Sequence, residues 1–336
     1  MKLAGLGPSQ IRYDMFALTR DAEEARRLDK CERIYHRGQD MAWDGKDILA
    51  MLLKEHGGVH LPPEKREAIK KVFAIILWGE LAAWKISAQL ADRLVPLEAK
   101  MAATSQAFDE ARHFYVMYDY LKELEYQVEP LDRAPQALLD LVLETDKLPY
   151  KLLGMQLMIE PIALTVFQTV RESGIEPVLC ELLRYYERDE ARHVGLGMQY
   201  LPSLLKAMSK REIAALFGFQ VRLMTLAMAE LKFMEKDLAV LGIEPRTIVD
   251  RTRKKQLAAT HEALSAIGFD FDEGRNYAAS ALNAVTEYTF PEAGIRHDRK
   301  ARLESAWQRF WHKDPKHDAS EFAVHEHAIK TVHGVQ

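Results

Sequence analysis

Apolar residues recur along this chain at three- and four-residue intervals, and no convincing alternating run marks a strand. The pattern predicts an almost wholly helical protein. One or two short helices fall within residues 20–55, and Gly57-Gly58 and Pro62-Pro63 then mark a loop and a helix start. A long helix is expected over 64–95, broken by Pro96, and a second over 97–126. A third region, 136–173, is interrupted near Pro149 and ended by Gly174; a fourth helix covers 176–200, ahead of Pro202. Two helical hairpins in series are the pattern of a four-helix bundle. Ser209-x-x-Glu212 has the form of a capping box opening a helix that reaches about residue 241. Gly242 and Pro245 follow, then shorter helices at 247–267, 272–288 and 299–311. The expected organisation is an all-α fold with an N-terminal helical extension (1–63), a four-helix bundle (64–203) and C-terminal helices (204–336) packing on it as one compact domain. The last twenty residues hold His317, His325, His327 and His333, and of the two readings, a metal-binding tail and a solvated end, the second is favoured.

Composition narrows the classes. A chain of 336 residues, 48% hydrophobic, can bury a large core. A net charge of −4 provides no basic field for nucleic acid. Two cysteines, Cys31 and Cys180, are too few for a disulfide framework or a thiolate metal site, which fits a reducing, cytoplasmic setting. The first ten residues lack the pattern of a secretory signal, and apolar runs such as 72–78 are too short to span a bilayer.

The candidate chemistry lies in a repeat. Asp-Glu-Ala-Arg-His occurs at Asp109–His113 and again, 80 residues later, at Asp189–His193. Each copy holds a Glu-x-x-His pair, Glu110 with His113 and Glu190 with His193, and three residues is nearly one helical turn, so carboxylate and imidazole share a face. Glu110 lies 14 residues after Pro96 and Glu80 lies 16 before it; Glu190 lies 16 after Gly174 and Glu160 lies 14 before it. At about 1.5 Å of rise per residue, each hairpin places its two glutamates at one depth. Glu80 and Glu160 sit in apolar surroundings without a basic partner on their own face, where a bare carboxylate costs on the order of several kcal/mol. Two divalent cations would cancel four carboxylates, and two neutral histidines complete a six-residue donor set: Glu80, Glu110, His113, Glu160, Glu190 and His193. Carboxylates and imidazoles without thiolate suit iron or manganese. Asp109 and Asp189 lie four residues before a histidine, placed either to accept an imidazole N–H or to pair with Arg112 and Arg192.

These residues resemble the ligand set of the ferritin-like di-iron carboxylate superfamily, in order, over about residues 64–200. Within it the chain is most similar to the ribonucleotide reductase small subunit, its ligand-binding oxidase relatives and the acyl-carrier-protein desaturases; residues 37–48 also resemble the ligand-binding oxidases. The resemblance implies two iron ions, or one manganese and one iron, and an oxidase or oxygenase using O2 and an external electron donor, with a homodimer possible. It also marks departures. Met117 stands at the reductase's radical tyrosine, Met155 at the oxidases' cross-linking tyrosine, and Tyr186 where the N-oxygenases carry an extra histidine beside the metals. Helical phase puts Phe73, Leu77, Trp84, Met117, Leu157, Leu164 and Phe167 near the ligand face, so an apolar small-molecule substrate is expected. Gly195 and Gly197 follow the second motif where Tyr115 and Met117 follow the first, and Gly197 is expected to open substrate space. Pro161, next to Glu160, is expected to bend the third helix at the ligand. A ferroxidase without organic substrate and a non-catalytic helical scaffold are the competing classes.

Overall fold

Proline and glycine set many of the helix ends around the centre of the chain. In the computed structural model, which describes residues 22–265, 268 and 277–312, the chain is all-α. The first helices are α1 (Ala22–Asp40) and α2 (Gly45–His56), the latter closed by left-handed Gly57. Pro63 opens α3 (Pro63–Arg93), and α4 (Leu97–Glu123) begins directly after Pro96. Then come α5 (Arg133–Leu143), α6 (Leu148–Leu152), a π-helical segment (Leu153–Ile159) and α7 (Glu160–Ser173), closed by Gly174 at φ +64°. Glu176 caps α8 (Pro177–Lys206) by accepting from the backbone N–H of Val178 and Leu179. The expected capping box is present: Ser209 and Glu212 bond reciprocally at the start of α9 (Lys210–Phe233). The chain continues through α10 (Glu235–Val240), α11 (Pro245–Ser265), α12 (Tyr277–Thr289) and α13 (Arg299–Trp311). The four C-terminal histidines lie outside the described residues, as does the start expected for α12.

Three boundaries differ from expectation. Pro202 does not end α8; it sits inside the helix, near its C-terminus. The helix expected to reach residue 241 breaks at Met234 into α9 and α10. The bend expected at Pro161 takes the form of a π turn. The N–H of Glu160 bonds the carbonyl of Met155, five residues back, and Pro161 has no N–H with which to resume the α pattern until the turn has widened.

The packing explains where the site sits. α3 lies along α4 and α7 along α8, and α4 meets α8. α1 and α2 cover the outer side of α4 and α8. Gly38 and Gly45 permit that approach, because a Cβ would stand 2.1 Å from Ser105 Oγ at the first and 2.0 Å from Val116 Cγ2 at the second. Two apolar clusters fill the ends of the helix assembly. One includes Phe73, Leu77, Met117, Phe167 and Tyr186; the other includes Ile86, Leu90, Leu157, Val194 and Leu201. Glu80 on α3, Glu160 on α7 and the Glu-x-x-His motifs of α4 and α8 fall between the two clusters along their helices, so a thin polar layer is closed off above and below by hydrocarbon.

Two helical stretches, 148–173 and 210–233, are long and apolar enough to cross a membrane, which corrects the expectation that every apolar run is too short. The first is a core segment, 72% of its apolar window buried in the protein. The second is α9, which packs chiefly on α5 and the π-helical segment and has 11% of its apolar window buried.

Gly197 provides contact, not space: a Cβ there would stand 2.6 Å from Gln156 Cβ and 2.9 Å from Leu157 Cδ2. Gly218, in the middle of α9, has nothing within 4 Å of the same position. Gly197→Ala should therefore lower unfolding free energy by about 1–3 kcal/mol through overpacking. Gly218→Ala should raise it by about 0.5–1 kcal/mol through helix propensity. Urea titration of the two variants reads both signs.

Candidate metal centre

All six predicted donors are buried and converge. Glu80, Glu110, His113, Glu160, Glu190 and His193 are each 4% exposed or less. They form two overlapping groups, Glu80, Glu110, His113 and Glu190 in one and Glu110, Glu160, Glu190 and His193 in the other, with donor atoms within 4.8 Å of one another. Glu110 and Glu190 belong to both. His113 Nδ1 lies 3.4 Å from Glu80, 3.2 Å from Glu190 and 3.6 Å from Glu110. His193 Nδ1 lies 3.0 Å from both Glu110 and Glu190 and 3.8 Å from Glu160. Four carboxylates thus surround two inward-facing imidazole nitrogens.

The other imidazole nitrogen is fixed from outside, and the pairing crosses between helices. Asp189 Oδ2 stands 3.2 Å from His113 Nε2, and Asp109 Oδ2 stands 3.3 Å from His193 Nε2. Each aspartate therefore serves the histidine of the opposite helix, which corrects the within-helix pairing that the four-residue spacing suggests. An N–H on Nε2 held by the aspartate leaves the Nδ1 lone pair directed at the carboxylates. The alternative partners are engaged as well. Arg112 donates to Asp109 (2.5 Å) and Asp189 (2.9 Å), and Arg192 to Asp189 and Asp109 (both 2.8 Å). Trp43, from the loop ahead of α2, donates its indole N–H to Asp189 at 2.7 Å.

Tyr186 is held beside the cluster. Its ring stacks on the His113 imidazole with centroids 4.2 Å apart, and its hydroxyl donates to the His113 carbonyl at 2.6 Å.

Gln106 and Gln156 were missed by sequence reasoning. Gln106 donates to Glu160 at 2.6 Å and to Glu110 at 3.1 Å, and Gln156 donates to Gln106 at 3.1 Å. Each lies four residues before a clustered glutamate, on the same helical face, and that phase was the available signal.

The electrostatics ask for cations. Burial, reinforced by Glu190 and Glu110, holds the Glu160 carboxyl well above the usual range, and burial does the same to Glu80 against the pull of His113. Burial also opposes ionisation of Glu110, but the two imidazoles outweigh it and hold that carboxyl below its usual value. Glu110 Oε2 and His113 Nδ1 are buried without a hydrogen-bond partner. Orphaned donor-set atoms and crowded carboxylates of this kind fit a pair of divalent cations.

The apolar cavity lies elsewhere than expected. About 1150 Å³ of space, open water at its mouth included, separates α3 from α7 beneath α9 and α11. Glu80, Glu160 and Glu190 reach it; Ile75, Gly79, Ile159, Ala163, Met224 and Met228 form part of its wall. None of Phe73, Leu77, Trp84, Met117, Leu157, Leu164, Phe167 or Gly197 lines it. Phe73, Leu77, Met117, Leu157 and Phe167 are side chains of the two apolar clusters, Leu164 is fully buried, Trp84 packs on Phe114, and Gly197 is filled by its neighbours. Helical phase located the packed interior, whereas open space remains on the flank where the two hairpins part. The missing bulk is at Gly79, beside Glu80, where a Cβ would meet nothing within 4 Å.

No family model matches this chain, and no curated protein is similar to it.

Glu230 of α9, half-buried, also lines the cavity, and its desolvated setting pushes its carboxyl up to about 7. A carboxyl raised in the folded state imposes no penalty below its unfolded value, about 4.5, and the full penalty above about 7. Glu230→Gln should therefore be more stable than the parent at about pH 8, by on the order of 1–2 kcal/mol, with the difference vanishing near about pH 4. Paired denaturation curves at the two pH values check the sign.

Proposed function

We propose that the protein is a dinuclear iron, or manganese–iron, oxidoreductase of the ferritin-like kind that uses O2 to oxidise an apolar small molecule. The observation that carries the reading is the meeting of a six-residue carboxylate–histidine cluster with an apolar cavity at Glu80, Glu160 and Glu190. An open apolar cavity against the cluster favours an organic substrate over iron storage.

In this reading Glu80 and His113 hold one ion, Glu160 and His193 the other, and Glu110 and Glu190 are shared. Two such ions, when bound, supply the redox chemistry that activates O2 and removes hydrogen from unactivated carbon. The chain's own residues do the rest. Asp189 and Asp109 fix the imidazoles, and Arg112 and Arg192 neutralise those aspartates so that they do not compete for the cations. Gln106 orients Glu160 through its amide N–H. The apolar clusters and the cavity wall exclude water from the carboxylates and align a substrate's hydrocarbon against them. Electrons come from an external donor.

Anaerobic Fe(II) addition followed by air should give about two metal ions per chain and a ferric charge-transfer absorption. Glu110→Ala, which removes a donor shared by both ions, should abolish both signals. A protein that binds no iron or manganese, or that retains both ions in Glu110→Ala, refutes the assignment. Asp189→Asn should keep the fold but weaken binding of the ion at His113 by about 10- to 100-fold, measured by competition with a chelator.

A further inference from the structure

Glu230 stands where both the helix dipole and the apolar wall around it disfavour a carboxylate. It lies in the last turn of α9, where the helix dipole favours cations, and among the described residues no hydrogen bond or charge acts on its carboxyl. Its neighbours on the wall are Met228, Leu231 and Met234. Arg253 lines the same cavity yet adds nothing to the electrostatics of Glu230, whose raised carboxyl is due to burial alone. A leucine or methionine would suit both helix and wall better. A carboxyl that weakens its own surroundings and faces an apolar cavity is explained by what enters the cavity.

We infer that Glu230 anchors the cationic end of the substrate, so that the cavity takes an apolar amine with its ammonium at Glu230 and its hydrocarbon running toward Glu80 and Glu160. Glu80, Glu160 and Glu190 also line the cavity but face the cluster, where bound cations would satisfy them; Glu230 stands outside both cation-binding groups. Thr252 Oγ1, buried in the same wall without a hydrogen-bond partner, offers an acceptor for a second N–H. Fatty acids are disfavoured, because their carboxylate would meet another carboxyl in an apolar setting. The inference deepens the proposed function and rests on the reading that this cavity serves the metal centre.

The test is calorimetric titration of the full chain, loaded with Mn(II) under nitrogen and its metal counted, with n-decylamine, n-decanol and decanoate. Decylamine should bind about tenfold or more tighter than the other two. Glu230→Gln should erase that preference while leaving decanol affinity and metal content unchanged. Gly79→Phe, which fills open space in the wall, should weaken all three ligands alike and so places them in this cavity. Equal affinities, a preference for decanoate, no binding of any ligand, or an amine preference that survives Glu230→Gln would overturn the inference. Two metals bound without amine preference removes this inference alone. A Glu230-dependent amine preference in a chain that takes up no metal instead removes the oxidoreductase reading and leaves the ligand class standing.

Discussion

Four carboxylates buried within contact of one another are the constraint around which this protein is arranged. Like charges at that separation cannot all ionise in a hydrocarbon interior unless positive charge enters with them. The chain meets the problem in two layers. In the outer layer Asp109 and Asp189 face Arg112 and Arg192, two negative charges against two positive, and every carboxylate oxygen of that layer has a donor within 3.3 Å. In the inner layer no arginine or lysine appears. Glu80, Glu110, Glu160 and Glu190 have only two imidazoles and one glutamine amide, and those imidazoles are turned so that a lone pair faces inward. The protein neutralises its outer ring itself and leaves the inner one to something small and positive.

How far this could be read from the chain follows from the range over which each feature is determined. The duplicated motif was legible because three residues is a helical turn whatever the surroundings. Glu80 and Glu160 were legible because an antiparallel hairpin converts distance from the turn into depth. The capping box at Ser209 and the ends at Pro63 and Gly174 were legible because they concern single backbone groups. The crossed pairing of each aspartate with the opposite imidazole was not, since it depends on how α4 is rotated against α8, which spacing within one helix does not encode. The cavity was misplaced for the same reason. Helical phase told which side chains point inward, but inward side chains such as Phe73, Met117 and Phe167 fill their space; the vacancy depends on where α3 and α7 separate.

The two glycine questions show the difference plainly. Gly197, read as missing bulk, is a point of close approach between α8 and the π-helical segment. Gly79, one residue from Glu80, attracted no notice, though a glycine in the middle of a long helix costs about 1 kcal/mol and asks for a reason. The structure supplies one: a side chain at that position would project into the cavity beside the carboxylate.

The sequence is symmetric about the repeat, but the surroundings of the two halves are not, and the asymmetry sets the direction of approach. On the α4 and α8 side the imidazoles are closed off by the aspartate–arginine ring, Trp43 and the first two helices, brought close by Gly38 and Gly45. On the α3 and α7 side the covering helix α9 offers Met224 and Met228, whose unbranched and flexible side chains repack at low cost, and α11 adds Ile248 and Val249. No histidine of the cluster lines the cavity; only glutamates do. A molecule entering there meets carboxylates and leaves the imidazoles undisturbed behind them. The π turn falls on this same side, ending at Glu160, so the π-helical stretch borders the one face of the carboxylate cluster that is open to approach.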